Sequence, residues 1–132
     1  MKINAEKLIE AARRARELAY APYSGFLVGA ALLCEDGSIY EGCNIENASY
    51  TPTCCAERVA LFSAVADGKR AFSAIAVVGG KAGERCETCY PCGVCRQALS
   101  EFCGPDTTVL LPSDARVEET MLGALLPNAF KI

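Results

Sequence analysis

The sequence predicts an α/β fold with three layers, α/β/α, in which a mixed β-sheet lies between helices. A predicted strand, helix and strand follow one another between residues 73 and 111, and such a connection pairs its two strands in parallel. The Asp36-Gly37 turn joins two other strands into an antiparallel hairpin. The chain has 132 residues, of which 52% are hydrophobic, and this length suits one hydrophobic core. Residues 1–132 are therefore predicted to form a single domain.

The first third of the chain is predicted to contain one helix and the hairpin. Asn4 is a good N-cap residue, and helically spaced apolar residues after it predict a helix that continues to Tyr20. The segment Phe26 to Leu33 is apolar throughout and predicts a buried strand. The hairpin turn connects it to a second strand over residues 39–44, and a polar loop over residues 46–53 follows.

The rest of the chain alternates predicted helices and strands. Thr53 is predicted to cap a helix that ends at Gly68, because glycine adopts the left-handed conformation common after a helix. A later helix stops at Gly104-Pro105. The predicted elements are helix 54–67, strand 73–78, loop 81–90, helix 92–103, strand 108–111 and helix 118–126.

Composition and charge exclude several classes of function. The net charge is -3 and the 13 lysine and arginine residues are dispersed, which argues against a nucleic-acid polymer as partner because phosphate neutralisation dominates such binding. The N-terminal segment is charged and no apolar run approaches a membrane span. Nine cysteines, two of them adjacent at Cys54-Cys55, suit metal ligation in a reducing compartment. We therefore expect a soluble, cytoplasmic protein that acts on a small molecule.

Two short segments carry the chemistry: Cys55-Ala56-Glu57 and Pro91-Cys92-Gly93-Val94-Cys95. The chain has no histidine, so a transition-metal site must use thiolates and carboxylates. Cys92 and Cys95 are separated by one helical turn at a predicted helix start, and Cys55 opens another helix, where the helix dipole favours thiolates. Three such sulfurs match the zinc deaminase pattern and leave the fourth tetrahedral position open for water.

Glu57 and Arg58 are predicted to complete this centre. Glu57 would take a proton from the activated water and deliver it to the substrate, and at a helix end its side chain can lean back toward the metal. Three thiolates exceed the charge of Zn²⁺ by one unit. Arg58 is predicted to donate to one or two of the sulfurs and so restore the acidity of the metal.

Further segments extend the pattern along most of the chain. They are Ala21-Pro22-Tyr23-Ser24, Val28-Gly29-Ala30-Ala31, Gly42-Cys43-Asn44-Ile45-Glu46-Asn47-Ala48, Cys55-Ala56-Glu57-Arg58, Pro91-Cys92-Gly93-Val94-Cys95-Arg96-Gln97 and Leu125-Leu126-Pro127-Asn128-Ala129-Phe130. In this order they resemble the small homotetrameric, three-cysteine cytidine deaminases, from about Leu8 to Phe130. The resemblance implies a cytidine deaminase-like fold, one Zn²⁺ per subunit and a homotetramer.

The resemblance also implies an activity and the residues that serve it. The activity is hydrolytic deamination of cytidine, and of 2′-deoxycytidine, to the uridine counterpart plus ammonia, in pyrimidine salvage. Asn44 and Glu46 would hydrogen-bond the ribose hydroxyls, and Glu57 would hold N3 of the base. The other implied contacts are Phe26 beside the base, the Ala56 backbone at the pyrimidine edge, and Tyr50 and Phe130 near a neighbouring subunit's site.

Cys86 and Cys89 have no role in that resemblance and leave two alternatives open. With Cys92 and Cys95 they form a C-x₂-C-x₂-C-x₂-C run close to the spacing of iron–sulfur electron-transfer proteins, although the last interval is one residue short. Alternatively, Cys86 or Cys89 would complete a closed structural zinc site, which leaves Glu57 unexplained. The remaining cysteines are interpreted as small buried hydrophobic residues: Cys34, Cys43, Cys54 and Cys103.

Overall fold

The computed structural model describes residues 3–132, so Met1 and Lys2 of the predicted domain 1–132 lie outside the described residues. The elements in chain order are α1 (Ala5–Arg16), β1 (Phe26–Cys34), β2 (Ile39–Cys43), α2 (Ala56–Ala66), β3 (Phe72–Lys81), α3 (Gly93–Phe102), β4 (Thr108–Pro112), β5 (Val117–Met121) and α4 (Leu122–Leu125). Among residues 3–132, no helix has both the length and the apolar character needed to cross a bilayer.

The five strands of residues 3–132 form one mixed sheet in the order β2-β1-β3-β4-β5. β1 and β2 form the predicted antiparallel hairpin, and Gly37 in its turn has a φ of +92°, which glycine adopts without strain. β3 and β4, which α3 connects, are the parallel pair. The pairs β1–β3 and β4–β5 are antiparallel. The predicted α/β/α fold with a mixed sheet is confirmed.

β1 is covered on both faces and separates two halves of the core. On one face, Val28, Ala30 and Leu32 pack in a cluster with buried residues of α2 and α3. On the other face, Ala31 and Leu33 pack in a cluster with buried residues of α1. Successive side chains of a strand point to opposite faces, so a strand buried on both sides needs an uninterrupted apolar run. The sequence of β1 meets this requirement.

Two glycines allow helices to approach the sheet closely. A Cβ atom on Gly29 of β1 would lie 2.0 Å from the carbonyl oxygen of Ala12 in α1. A Cβ atom on Gly42 of β2 would lie 2.4 Å from the amide nitrogen of Ala60 and 2.5 Å from the carbonyl oxygen of Ala56 in α2. These distances leave no room for a side chain at either glycine. Each helix therefore packs directly on the backbone of its strand, and the start of α2 is held tightly against β2.

The first helix is shorter than predicted. It begins as expected, with the side chain of Asn4 accepting a hydrogen bond from the amide of Lys7 at 3.1 Å. It ends at Arg16 instead of Tyr20, because the amides of residues 17–19 bond to carbonyls three positions earlier and tighten the chain. Leu18, which lies beside the predicted apolar stripe, is exposed.

The boundaries of α2 and β3 also differ from the predicted ones. α2 begins after Cys55, which occupies the N-cap position, so the predicted cap Thr53 lies outside the helix. Gly68 follows the helix with a φ of +90°, as expected. β3 continues past its predicted end at residue 78, because residues 79–81 pair with the beginning of β1.

The predicted helix over residues 118–126 is wrong. Val117–Met121 forms the edge strand β5, paired antiparallel with β4, and the helix that follows covers Leu122–Leu125. Every residue of β5 keeps part of its surface exposed, so the segment lacks the apolar alternation of a half-buried strand. Its extended conformation comes from pairing with β4. This pairing is a tertiary contact that the local sequence preference does not reveal.

Candidate active site

Three cysteine sulfurs meet where two helices begin. Cys55 is the N-cap residue of α2, Cys92 is that of α3, and Cys95 lies in the first turn of α3. The Sγ atoms of Cys55 and Cys92 lie 3.8 Å apart, those of Cys92 and Cys95 lie 3.5 Å apart, and all three lie within 4.8 Å of one another. Tetrahedral zinc with Zn–S bonds of about 2.3 Å separates its sulfurs by about 3.8 Å. The three thiols therefore fit a zinc ion.

Arg58 places positive charge beside this sulfur group. Its guanidinium donates from Nη2 to Cys55 Sγ at 3.5 Å, while its Nε is buried without a hydrogen-bond partner in the part of the chain described. The neighbouring Cys95 thiol, the Arg58 guanidinium and the Cys92 thiol together lower the pKa of Cys55. The neighbouring Cys55 sulfur, together with burial, raises the pKa of Cys95. The group is thus arranged to stabilise thiolate charge, which metal binding requires.

Glu57 lies at the same helix start as Cys55. The residue is 4% exposed, and burial raises the pKa of its carboxyl to about 7. A carboxyl whose pKa lies near neutrality can both accept and release a proton at that pH. Glu57 and Cys55 line one pocket although they are two positions apart, because side chains in a first turn lean back past the end of the helix.

A pocket of about 290 Å³ opens beside the sulfur group. This volume is near the lower end of the roughly 300–1,000 Å³ that small-molecule sites span. The wall is built from the beginning of β1, from both ends of the loop between β2 and α2, and from the segment before α3. The predicted site residues that line it are Phe26, Asn44, Glu46, Cys55, Ala56, Glu57 and Cys92.

Asn44 and Glu46 hold fixed positions in the pocket wall. The Asn44 side chain donates to the Phe26 carbonyl at 2.8 Å and accepts from the Val28 amide at 2.9 Å. Glu46 accepts from the Ser24 hydroxyl at 2.5 Å and from the Ser24 amide at 3.1 Å, and the hydroxyl contact lowers the pKa of Glu46. Each side chain keeps further donor or acceptor capacity for a ligand.

Neither Tyr50 nor Phe130 lines this pocket within residues 3–132, although Tyr50 lines an adjoining pocket that shares Ser24, Glu46 and Thr53 with it. Tyr50 is 87% exposed in the loop between β2 and α2, and Phe130 is 67% exposed near the C-terminus. Aromatic residues are enriched where proteins contact one another. Their contact with a neighbouring subunit's substrate stays a prediction.

The four-cysteine run after β3 is not gathered into one site. Cys86 packs against the cluster on the α1 face of the sheet, whereas Cys89 packs against the cluster on the α2 face. Neither belongs to the sulfur group found among the described residues. Burial raises the pKa of Cys89 to about 12, so its thiol stays neutral. This arrangement does not support an iron–sulfur cluster or a closed four-thiolate site.

The pocket wall also includes residues for which the sequence predicted no contact. They are Ser24, Val28, Thr53, Cys54, Cys89 and Tyr90. The position of Cys89 and Tyr90 directly before Pro91 could have predicted that they line the pocket. The chain that enters the first turn of α3 must pass close to the sulfur of Cys92.

Similarity to known proteins agrees with this geometry. Residues 2–111 match the model of the cytidine and deoxycytidylate deaminase zinc-binding region. The chain belongs to this deaminase family. It is 53% identical to a cytidine deaminase of Sporosarcina psychrophila over 97% of this chain and 92% of that protein. It is 50% identical to a cytidine deaminase of Halalkalibacterium halodurans over 95% of this chain and 92% of that protein.

Solved structures of the deaminase family share the fold. The crystal structure of cytidine deaminase from Burkholderia pseudomallei matches with a TM-score of 0.88 and 52% identity, covering 97% of this chain and 100% of that one. The metal of this family is zinc, and the group of Cys55, Cys92 and Cys95 is suited to it. A set of three protein ligands leaves one tetrahedral position open, which distinguishes catalytic zinc sites from structural ones.

Proposed function

We propose that the protein is a zinc-dependent hydrolase that converts cytidine, and also 2′-deoxycytidine, to the uridine counterpart with release of ammonia. The observation that carries this proposal is the buried carboxyl of Glu57 in the same pocket as the sulfur group. Burying a carboxyl costs free energy, and a structural zinc site has no use for one. Buried groups with shifted pKa values cluster at sites of chemistry.

Glu57 moves protons in the proposed reaction. Cys55, Cys92 and Cys95 would hold the zinc, which would supply the acidity that allows water to attack C4 of the cytosine ring at neutral pH. Glu57 accepts the proton that this water releases, holds N3 of the base, and returns a proton to the departing amine. One water is consumed and one ammonia leaves, so Glu57 ends in its starting state.

Arg58 counteracts the excess negative charge of three thiolates. Its guanidinium already donates to Cys55 Sγ at 3.5 Å. A hydrogen bond to a ligating sulfur withdraws electron density from it, so Arg58 would help a zinc ion bound there to acidify water.

The remaining pocket residues bind the nucleoside in this proposal. Asn44 and Glu46 hold the ribose hydroxyls, and their own hydrogen bonds to β1 and to Ser24 keep them in place. Phe26 packs beside the base, and the Ala56 backbone meets its polar edge. No lysine or arginine lines the pocket among residues 3–132, so a nucleoside suits it better than a nucleoside phosphate.

The proposed enzyme is a homotetramer with one catalytic domain per chain, residues 1–132, and it serves pyrimidine salvage in the cytoplasm. Large apolar side chains remain exposed on the single chain, which supports burial between subunits: Tyr50, Phe62, Val94 and Phe130. Nine free cysteines favour a reducing compartment. Light scattering on the purified protein tests the assembly, and a monomer at micromolar concentration would contradict it.

An ultraviolet assay across a substrate panel, with zinc measured per subunit, tests the proposed function. The panel is cytidine, 2′-deoxycytidine and cytidine 5′-monophosphate, and ammonia release is measured in parallel. Both nucleosides are expected to be deaminated, and the monophosphate at least tenfold less efficiently. A zinc-replete protein that leaves all three unchanged would refute the proposal, and a preference for the monophosphate would refute the assigned substrate.

A further inference from the structure

Cys89 lies beside Phe26 in the pocket wall. A Cβ atom on Gly79 of β3 would meet Cys89 Sγ at 2.7 Å and Phe26 Cε2 at 3.0 Å, so both side chains occupy the space above this glycine. Cys89, Phe26 and Glu57 all line the same pocket. The absence of a side chain at position 79 is therefore what admits Cys89 next to the proposed base-binding residue.

The thiol of Cys89 presents an apolar surface to the pocket. It lies outside the sulfur group, and it takes part in no hydrogen bond within the described part of the chain. It packs against the apolar cluster on the α2 face of the sheet. A neutral, partly buried thiol behaves as a small and polarizable hydrophobic group. Cys89 therefore forms a wall against which a hydrocarbon edge can pack.

The edges of the base can be assigned one by one, an argument that rests on the proposed function. C4 faces the sulfur group, N3 is held by Glu57, and the Ala56 backbone takes the remaining polar edge. The C5–C6 edge carries no polar atom, so it belongs against an apolar wall. Cys89 supplies such a wall next to the Phe26 ring.

We propose that Cys89 is a specificity-determining residue that faces C5 of the pyrimidine and limits the size of the substituent on that carbon. The substrates it admits are pyrimidine nucleosides with hydrogen on C5. A methyl group on C5 competes with the sulfur for the same volume. Cys86, three residues earlier, packs on the opposite face of the sheet and has no part in this selection.

The test compares kcat/KM for cytidine and 5-methylcytidine. A difference of one methyl group in an apolar pocket changes kcat/KM by roughly 10–200-fold. Cys89→Ala removes the sulfur, and we expect the ratio of 5-methylcytidine to cytidine to rise about tenfold. Cys89→Val enlarges the side chain, and the ratio is expected to fall. Cys103→Ala removes another buried thiol, at the end of α3 and outside the pocket, and should leave the ratio unchanged.

The outcomes separate this inference from the proposed function. A ratio unchanged in both Cys89 variants, with zinc content and cytidine turnover retained, overturns the inference alone. Loss of zinc in Cys89→Ala or Cys89→Val also overturns it, because the thiol would then belong to the metal centre. A zinc-replete wild-type protein that fails to deaminate cytidine overturns the proposed function and this inference with it. If Cys89→Ala does not fold, the test rests on Cys89→Val, for which the ratio of 5-methylcytidine to cytidine is expected to decrease.

Discussion

Gly42→Ala places a methyl group between β2 and the first turns of α2. The new Cβ atom would lie 2.4 Å from the amide nitrogen of Ala60 and 2.5 Å from the carbonyl oxygen of Ala56. Both atoms belong to helix backbone, which cannot move aside as a flexible side chain can. The helix must therefore shift as a unit, and Cys55 and Glu57 at its start shift with it.

The size of the effect follows from these distances. Ordinary contacts of a Cβ atom begin at about 3.4 Å, so α2 must retreat by about 1 Å. Overpacking of this kind costs about 1–3 kcal/mol of unfolding free energy. A displacement of about 1 Å at a reacting centre lowers turnover by up to about 100-fold. We expect Gly42→Ala to lose stability in that range and to lower kcat/KM for cytidine by about 10–100-fold.

Urea unfolding, zinc analysis and initial rates on the same preparation measure the effect. Gly93→Ala is the matched control: Gly93 lies between Cys92 and Val94, and a Cβ atom there meets no atom of residues 3–132 within 4 Å. This control should stay within about 0.5 kcal/mol and about twofold of wild type, the range of ordinary surface substitutions. If Gly42→Ala behaves like Gly93→Ala, close approach of α2 to β2 does not position the site.

Three further expectations concern the site and the fold. Arg58→Ala should lower zinc occupancy or turnover, because Cys55 loses the guanidinium that offsets its charge; unchanged kinetics with full zinc would contradict this role. Asn4→Ala should lower the unfolding free energy by about 1 kcal/mol without changing kcat, since it removes the cap on the Lys7 amide; an unchanged urea midpoint would contradict the cap. In zinc-depleted protein, folding raises the pKa of Glu57 from 4.5 to about 7, so the folded state favours the protonated carboxyl. The stability that comes from the protonated carboxyl is fully present below about pH 4.5 and is lost as the pH rises through 7. Relative to Glu57→Gln, depleted wild type should therefore lose about 3 kcal/mol between pH 4.5 and 8, and equal urea midpoints at both pH values would contradict the burial argument.

The central part of the fold and most of the sulfur group could be predicted from local sequence patterns. The apolar run of β1 predicts a strand covered on both faces because strand burial follows side-chain alternation. Cys92 and Cys95 are one helical turn apart, so their proximity follows from local geometry. Cys55 lies near them because α2 packs beside α3. This proximity was predicted from the resemblance to deaminases and not from local geometry.

Features set by distant contacts were missed or misassigned. Residues 117–121 carry no strand pattern of their own, and their conformation comes from pairing with β4. Thr53 has a good capping side chain, yet α2 begins after Cys55. Cys89 lies in the pocket because Gly79 of β3 has no side chain. No local sequence pattern around Cys89 indicates this.

The Glu57→Gln variant, assayed with zinc measured per subunit, tests the central claim most directly. Glutamine keeps the size of the side chain but cannot shuttle a proton, and such groups contribute about 100–10,000-fold to rate. If Glu57 moves the proton, the variant folds, keeps one zinc per subunit and deaminates cytidine at no more than about one-hundredth of the wild-type rate. A zinc-replete variant that retains more than about a tenth of that rate would contradict the role of Glu57.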